Sequence, residues 1–265
     1  MDMIFELISN FFGIEPLGLV IVCGLVFLAG YVDAIAGGGG LISLPAYLIA
    51  GVPTHAAIAT NKLSSCMGTT VATLHYAKSG FINARLALPS IVFAFLGSFC
   101  GSNVLLLVDD GFLRLFLLVV LPVTAIYVMK SKSFDAAGLQ SFSLRKTTLL
   151  CMGIAFAVGV YDGFYGPGTG TFLMLMLTGL AHLRLDSAAG VTKSINLTTN
   201  LAALIVFLIH GQVVILLGLL AGLFNMIGNY LGSHSFTKNG GAIARPITIA
   251  VLLIFFAKVV WDFMA

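Results

Sequence analysis

The chain has 265 residues, of which 59% are hydrophobic and only 9% charged. Soluble domains carry about 25% charged residues, so this chain has too few to clothe a water-facing surface. The composition excludes a disordered chain, a nucleic-acid module and an ordinary cytosolic enzyme, and it indicates a polytopic membrane protein; a net charge of +3 is too small to imply a polyanionic partner.

The N-terminal stretch to Pro16 holds Asp2, Glu6 and Glu15 but no Lys or Arg. A secretory signal needs a basic leading region, so the first apolar stretch is expected to stay in the mature protein. A membrane-spanning helix needs about 20 apolar residues. Segments of that kind are predicted at about 17–36, 55–77, 85–107, 112–130, 145–164, 186–209, 212–233 and 244–262. Two shorter ones, about 41–50 and 169–181, lie between them. At about 1.5 Å rise per residue the short ones reach only ~15–20 Å and cannot span alone. Each follows a glycine-rich break, Gly37-Gly38-Gly39-Gly40 or Gly166-Pro167-Gly168-Thr169-Gly170. Half-helices at a broken backbone fit these better than loops.

The basic residues orient the segments. Lys78, Arg85, Lys130, Lys132, Arg145, Lys146, Arg184, Lys238 and Arg245 fall in the connections 78–85, 130–146, 182–185 and 234–245. The connections 1–16, 51–54, 108–111 and 210–212, and the end after Asp262, have no Lys or Arg. By the positive-inside rule the basic loops are cytoplasmic and both termini lie outside, periplasmic or extracellular.

The chain resembles itself. Gly30-Tyr31-Val32-Asp33 matches Gly159-Val160-Tyr161-Asp162, and each Asp lies four residues before its glycine break. After a length difference of two residues, Lys62 matches Lys193. Gly97-Ser98-Phe99-Cys100-Gly101-Ser102 then matches Gly228-Asn229-Tyr230-Leu231-Gly232-Ser233, and Arg114 matches Arg245. The expectation is one integral membrane domain of two repeats, 1–135 and 136–265. The first half starts outside and ends inside and the second does the reverse, so the repeat is inverted. Inverted repeats with broken helices are an architecture of secondary transporters. The fold class expected is therefore an all-α polytopic membrane protein with two inverted-topology repeats and re-entrant half-helices.

Backbone unwound at membrane depth is tolerated only where it is buried or lines a cavity. The N–H groups that open each short helix are unpaired and carry the positive end of the helix dipole, which favours an anion. Gly37, Gly38, Gly39 and Gly40, with Gly166, Gly168 and Thr169, are therefore candidate substrate-binding residues; close helix packing through small residues is the alternative. Lys62 and Lys193 lie six to eight residues inside long segments, too deep for easy snorkelling, and each needs an anionic partner. With Asn61, Ser65, Thr192 and Asn196 they would make a polar anion pocket; Ser64 and Asn200 are neighbours of the same kind. Ion pairs with Asp33 and Asp162 are the competing role, and both hold if a pair rests closed and opens for substrate. Asp33 and Asp162 are candidate coupling carboxylates, since burial favours their protonated form. They could instead bond the N–H groups of the glycine turns. Asp186 reads as an N-cap.

Two intramembrane aspartates also raise an aspartyl protease, but the Gly-x-Gly-Asp of that class is absent and each Asp sits beside its own glycine break. Arg114 and Arg245 read as interface anchors. Cys23, Cys66, Cys100 and Cys151 lie singly in apolar stretches and read as small buried hydrophobes. The five histidines have no i, i+4 metal spacing, and the glycines lack the Lys-Ser/Thr of a P-loop. No metal, cofactor or catalytic residue is expected.

The stretches Ala29-Gly30 through Asp33, Ala36 to Gly40 with Leu44-Pro45, and Ala59-Thr60-Asn61-Lys62-Leu63 resemble the TauE/SafE family of sulfite and organosulfonate exporters. Tyr161-Asp162-Gly163-Phe164-Tyr165-Gly166-Pro167-Gly168 looks like the matching motif of the second half. The resemblance covers essentially the whole chain and is nearest to the YfcA-like branch; Val191-Thr192-Lys193-Ser194 stands where some members have Gly-Thr. It implies a bacterial inner-membrane exporter, not an enzyme, for small sulfur-containing anions such as sulfite, thiosulfate, sulfoacetate or sulfolactate. Transport by alternating access, with proton coupling, is the expected function; a passive anion channel is the alternative. The expected partners are a small anionic substrate and the lipid bilayer, with no nucleic acid; a homodimer is left open.

Overall fold

The computed structural model describes residues 12–109, 111–112, 142–239, 242 and 246. The segments expected at 112–130 and 244–262, with Arg114, Arg245, the boundary at 135/136 and both termini, lie outside the described residues. Eight helices are described, with no strand among them: α1 (Pro16–Ala36), α2 (Gly40–Ile49), α3 (Thr54–Lys78), α4 (Ala84–Leu105), α5 (Leu144–Phe164), α6 (Thr169–Gly179), α7 (Leu185–Ile209) and α8 (Ile215–Asn239).

Five of these, α1, α4, α5, α7 and α8, are long and apolar enough to cross a membrane. α3 is as long as α7 but less apolar, because Thr60, Asn61, Lys62, Ser64 and Thr69 sit on it. All five are buried, so the polar face of α3 is turned to the protein and not to lipid. The outer faces are the reverse: Leu88, Val92, Leu96 and Phe99 of α4 and Leu216, Leu219, Leu223 and Ile227 of α8 are exposed. An apolar outside around a polar centre fits a bilayer, where lipid tails solvate leucine and buried polar groups must find each other. α8 runs to Asn239, beyond the expected end near 233, since Gly232-Ser233 is a packing contact rather than a stop.

Glycines set how closely the helices approach. A side chain at Gly97 or Gly101 of α4 would overlap the carbonyls of Phe156 and Val160 of α5. A side chain at Gly228 or Gly232 of α8 would likewise overlap the carbonyls of Phe27 and Tyr31 of α1. These small-x-x-x-small seams bring backbones together without help from a hydrophobic drive, which lipid does not supply. The two seams, α4 on α5 and α8 on α1, are matched by α3 packed on α8 and α4 on α7, with α3 and α7 meeting at the centre.

Each short helix folds back along its long one. Pro16 opens α1 at a position where its missing N–H is not needed, and Gly37 closes it at φ 73°, its N–H donating to Asp33 O at 2.9 Å. Gly39 already lies against Ala29 O, and eleven residues later Ala50, just past the end of α2, rests on Gly18 near the start of α1. Thus α1 and α2 form a helical hairpin, as the expected broken helix would. At the α5–α6 turn the backbone passes through left-handed Gly166 and Gly168, with φ 98° and 83°. Asp186 does not cap α7: the helix begins at Leu185, and Asp186 sits in its first turn, where its carboxylate accepts from Ser187 N–H.

Two apolar clusters lie at opposite ends of the bundle. One gathers Tyr76, Leu86, Leu173, Leu177 and Phe236 beside the loops that hold Lys78, Arg85, Arg184 and Lys238. The other gathers Val22, Leu44, Tyr47, Ile58, Phe207 and Leu217 at the far end. α2 contributes to the second and α6 to the first, and the polar residues lie between. Cys23, Cys66 and Cys151 are buried, as small apolar residues would be; Cys100 is exposed, because it follows Phe99 on the outer face of α4.

Candidate functional site

The two glycine breaks touch. Thr171 of α6 donates its N–H to Gly37 O at 3.2 Å and its hydroxyl to Ala36 O at 2.8 Å. Gly37 and Gly170 are so close that a methyl on either would collide with the other's backbone. Gly40 meets Pro167 in the same way. Only residues without a Cβ let two unwound segments cross at this distance.

Beside this crossing lies a small cavity of about 20 Å³. A water molecule needs roughly 10–15 Å³ by the same measure, so the space is narrower than a sulfur oxyanion requires. Of the expected binding residues, Gly37, Gly39, Gly40, Asn61, Lys62, Ser65, Gly166, Thr169 and Asn196 line it, with both Asp33 and Asp162. Gly38, Gly168, Thr192 and Lys193 do not. Gly38 O accepts from Leu41 N–H, and Gly168 caps α6. Thr192 is buried with its hydroxyl unpartnered, and Lys193 reaches Asp33 from outside the lining.

Neither short helix has a side-chain cap at its N-terminus. No described group accepts from the N–H groups of Gly39, Gly40 or Gly170, all of which line the cavity. Helix α3 brings Asn61, Ser65 and Thr69 to the wall, a stripe at i, i+4 and i+8 on one face. Helix α7 brings Asn196 and Asn200 at the same spacing, with Asn200 Nδ2 bonded to Asn196 Oδ1 at 3.5 Å. Asn225 of α8 completes the wall, and Asn229 Nδ2 bonds its Oδ1 at 2.7 Å. Amides, hydroxyls, backbone N–H groups and one ammonium make the wall rich in donors.

Among the described residues, four charges set inside the helix bundle pair across the chain. Lys62 Nζ lies 2.8 Å from Asp162 Oδ2, and both side chains are almost wholly buried. Lys193 Nζ lies 2.7 Å from Asp33 Oδ2 and also donates to Asp33 O. Thr169 donates its hydroxyl to Asp162 Oδ1 at 2.6 Å. No backbone N–H donates to either carboxylate among the described residues, so the glycine turns are not held by Asp side chains. The turn N–H of Gly37 goes to Asp33 O instead.

Ser43, Thr69, Gly170 and Asn225 line the cavity without having been singled out as site residues. Stepping four residues on from Ser65 would have found Thr69. Asn225 carries the one signal of an amide within an apolar helix, which is costly unless it is used. Ser43 and Gly170 have no separate signal beyond their nearness to the breaks.

The fold and site define a multi-pass helical membrane protein whose buried charges and uncapped helix ends converge on a central polar cavity, the arrangement of a solute carrier. The chain belongs to the family described as sulfite exporter TauE/SafE, whose model matches residues 22–259. It is 35% identical over 226 residues to a protein of Sinorhizobium sp named "Probable membrane transporter protein ORF9", covering 85% of each chain. It is 32% identical over 251 residues to a "Probable membrane transporter protein" of Haemophilus influenzae, covering 94% of this chain and 96% of the relative. It is 30% identical over 257 residues to "Probable membrane transporter protein YfcA" of Escherichia coli, covering 97% and 95%. No solved structure matches.

Proposed function

We propose that the protein is a secondary transporter that moves a small sulfur-containing oxyanion, such as sulfite, thiosulfate or an organosulfonate, out of the cell by alternating access. It would sit in the bacterial inner membrane with both termini on the periplasmic side. The observation that carries this reading is the central cavity. Two uncapped helix N-termini and Lys62 meet there among amide and hydroxyl donors. Such a wall offers an anion the hydrogen bonds and positive potential that it loses on leaving water.

The two apolar clusters support alternation. Leu44 and Tyr47 of α2 close one end of the cavity's surroundings, and Leu173 and Leu177 of α6 close the other. Two inverted halves, 1–135 and 136–265, would move these plugs in turn. A cavity of about 20 Å³ between two plugs favours a carrier over a permanently open anion channel. No hydrogen bond joins Asp33 to Asp162, and each carboxylate is engaged by a lysine; that does not favour an aspartyl protease, which needs a shared proton. Asp33 or Asp162 is the group through which proton movement would be coupled to the cycle.

Flux of labelled sulfite, thiosulfate and sulfonates into proteoliposomes tests the reading. At least one should be transported, and should accumulate uphill under an imposed pH gradient. Lys62→Ala and Lys193→Ala should each lower flux by about tenfold or more, the cost of breaking a buried charge pair. Normal flux in both variants would refute the anion site, and purely downhill flux would favour a channel.

A further inference from the structure

The two ion pairs occupy matching positions but are built differently. Asp162 is sealed by burial: its side chain is 2% exposed, the Thr169 hydroxyl donates to Oδ1, and Oδ2 lies in an ion pair with Lys62 at 2.8 Å but accepts no hydrogen bond from the described residues. Asp33 borders the same cavity as Asp162 but is 14% exposed. Lys193 holds its Oδ2, while Oδ1 accepts nothing from the described residues. A proton can therefore reach Asp33 Oδ1 without first breaking a hydrogen bond, whereas at Asp162 the Thr169 hydroxyl occupies Oδ1 and burial closes off Oδ2.

Lys193 differs from Lys62 as well. It donates to the main-chain carbonyl of Asp33 in addition to the carboxylate. When the carboxyl is neutralised, the ammonium keeps a perch at the carbonyl and stays beside the cavity. Among the described residues, Lys62 pairs only with Asp162. From the elements around Asp33, the titratable groups are Lys193 on α7, Lys62 and Tyr76 on α3, and Asp162 on α5. The Tyr76 hydroxyl donates to Ala34 O at 2.7 Å. Helices α2, α6 and α8 bring only glycines, hydroxyls and the Asn225 amide to the cavity.

We infer that Asp33 is the proton carrier and that the Lys62–Asp162 pair is a fixed strut, so one proton bound at Asp33 Oδ1 accompanies one anion. The charges balance. With both carboxylates ionised, two aspartates and two lysines sum to zero, and an added anion would be an uncompensated charge in a weakly screening medium. A proton taken from the water of one side onto Oδ1 leaves one positive charge, which the anion neutralises. Both leave on the other side, and Asp33 re-forms its pair with Lys193; because the proton travels with the anion, outward movement is driven by the anion's own concentration gradient. The assignment rests on the transport reading for its purpose, but not for its test.

The test is infrared difference spectroscopy of the full chain in lipid nanodiscs, acid minus alkaline. The wild type should show a protonated-carboxyl C=O band that Asp33→Asn lacks, Asp33→Glu shifts, and Asp162→Asn keeps. Thr169→Val, which removes the donor on Asp162 while leaving its carboxylate, serves if Asp162→Asn does not fold, and should also keep the band. Persistence of every titrating band in Asp33→Asn overturns the assignment, as does loss of the band in Asp162→Asn with Asp33 intact. The spectra need no substrate, so a wild type that transports none of the tested anions would defeat the transport reading and leave this result standing. In liposomes that do transport sulfite, Asp33→Asn should cut accumulation under a pH gradient to the level reached without one.

Discussion

The Lys62 ammonium lies 2.8 Å from the Asp162 carboxylate, although a hundred residues of chain separate them and each sits in a different half. Lys193 and Asp33 make the reciprocal contact at 2.7 Å. Each half thus neutralises the other's buried charge. A buried ion pair gives little net stability over apolar residues of the same size, because both charges have been taken out of water. Removing one partner is different, since the other is left uncompensated.

Asp162→Asn or Lys62→Met alone should therefore destabilise the protein by about 3–5 kcal/mol. The double variant Lys62→Met with Asp162→Asn should regain most of the loss without regaining transport. Thermal unfolding in detergent, followed with the flux assay, checks both parts. Equal melting temperatures in the single and double variants would show that the pair is not coupled.

The helix seams make a sharper steric prediction. At Gly163 a methyl would overlap Ser98 O, whereas at Gly153 on the same helix nothing lies within 4 Å. Gly163→Ala should cost about 1–3 kcal/mol, the usual penalty for overpacking, and Gly153→Ala should be near neutral. Chemical or thermal denaturation of the two variants side by side decides it.

Thiol reactivity should follow exposure. Cys100 is exposed among the apolar side chains of α4, and Cys23, Cys66 and Cys151 are buried. A lipid-soluble maleimide should label one position in the native protein, and Cys100→Ser should abolish that labelling. A charged, water-soluble thiol reagent should label far less, because the site faces hydrocarbon. Mass spectrometry of labelled peptides gives the answer directly.

Topology follows from the basic loops. Cysteines placed at Ser79 and Asn239 should react with an impermeant reagent only after the cells are opened, and those at Gly51 and Gly211 in intact cells. The reverse pattern would invert the orientation, and a mixed pattern would remove the inverted relation between the halves.

Much of the architecture was legible in the sequence, for identifiable reasons. Four successive glycines and the Gly-Pro-Gly run mark the breaks because few other residues adopt left-handed backbone, and α2 and α6 begin at Gly40 and Thr169 as those runs imply. Five long helices match their apolar stretches closely, α8 starts later and runs six residues past its own, and the segments at 112–130 and 244–262 lie outside the described residues. The charge partners were not legible. Asp33 and Lys62 belong to the same half and are close in the chain, yet each bonds across to the other half. Spacing alone says nothing about which of two matching partners a side chain meets. The difference between Asp33 and Asp162 was hidden for a related reason. It depends on Thr169, which stands where the first half has Gly40, and a repeat read for its similarities passes over the one hydroxyl that breaks it.

The bond from Thr171 N–H to Gly37 O has a mechanical consequence. It ties the first turn of α6 to the last turn of α1, on which α2 is hinged. In the proposed cycle neither plug would swing without pulling on the pivot of the other, so the two would behave as the arms of one rocker. A passage open to both sides would let protons and solute run down their gradients. With a shared pivot at Gly37 and Gly170, raising one arm would seat the other, and leakage would be suppressed by linkage rather than by the strength of either seal.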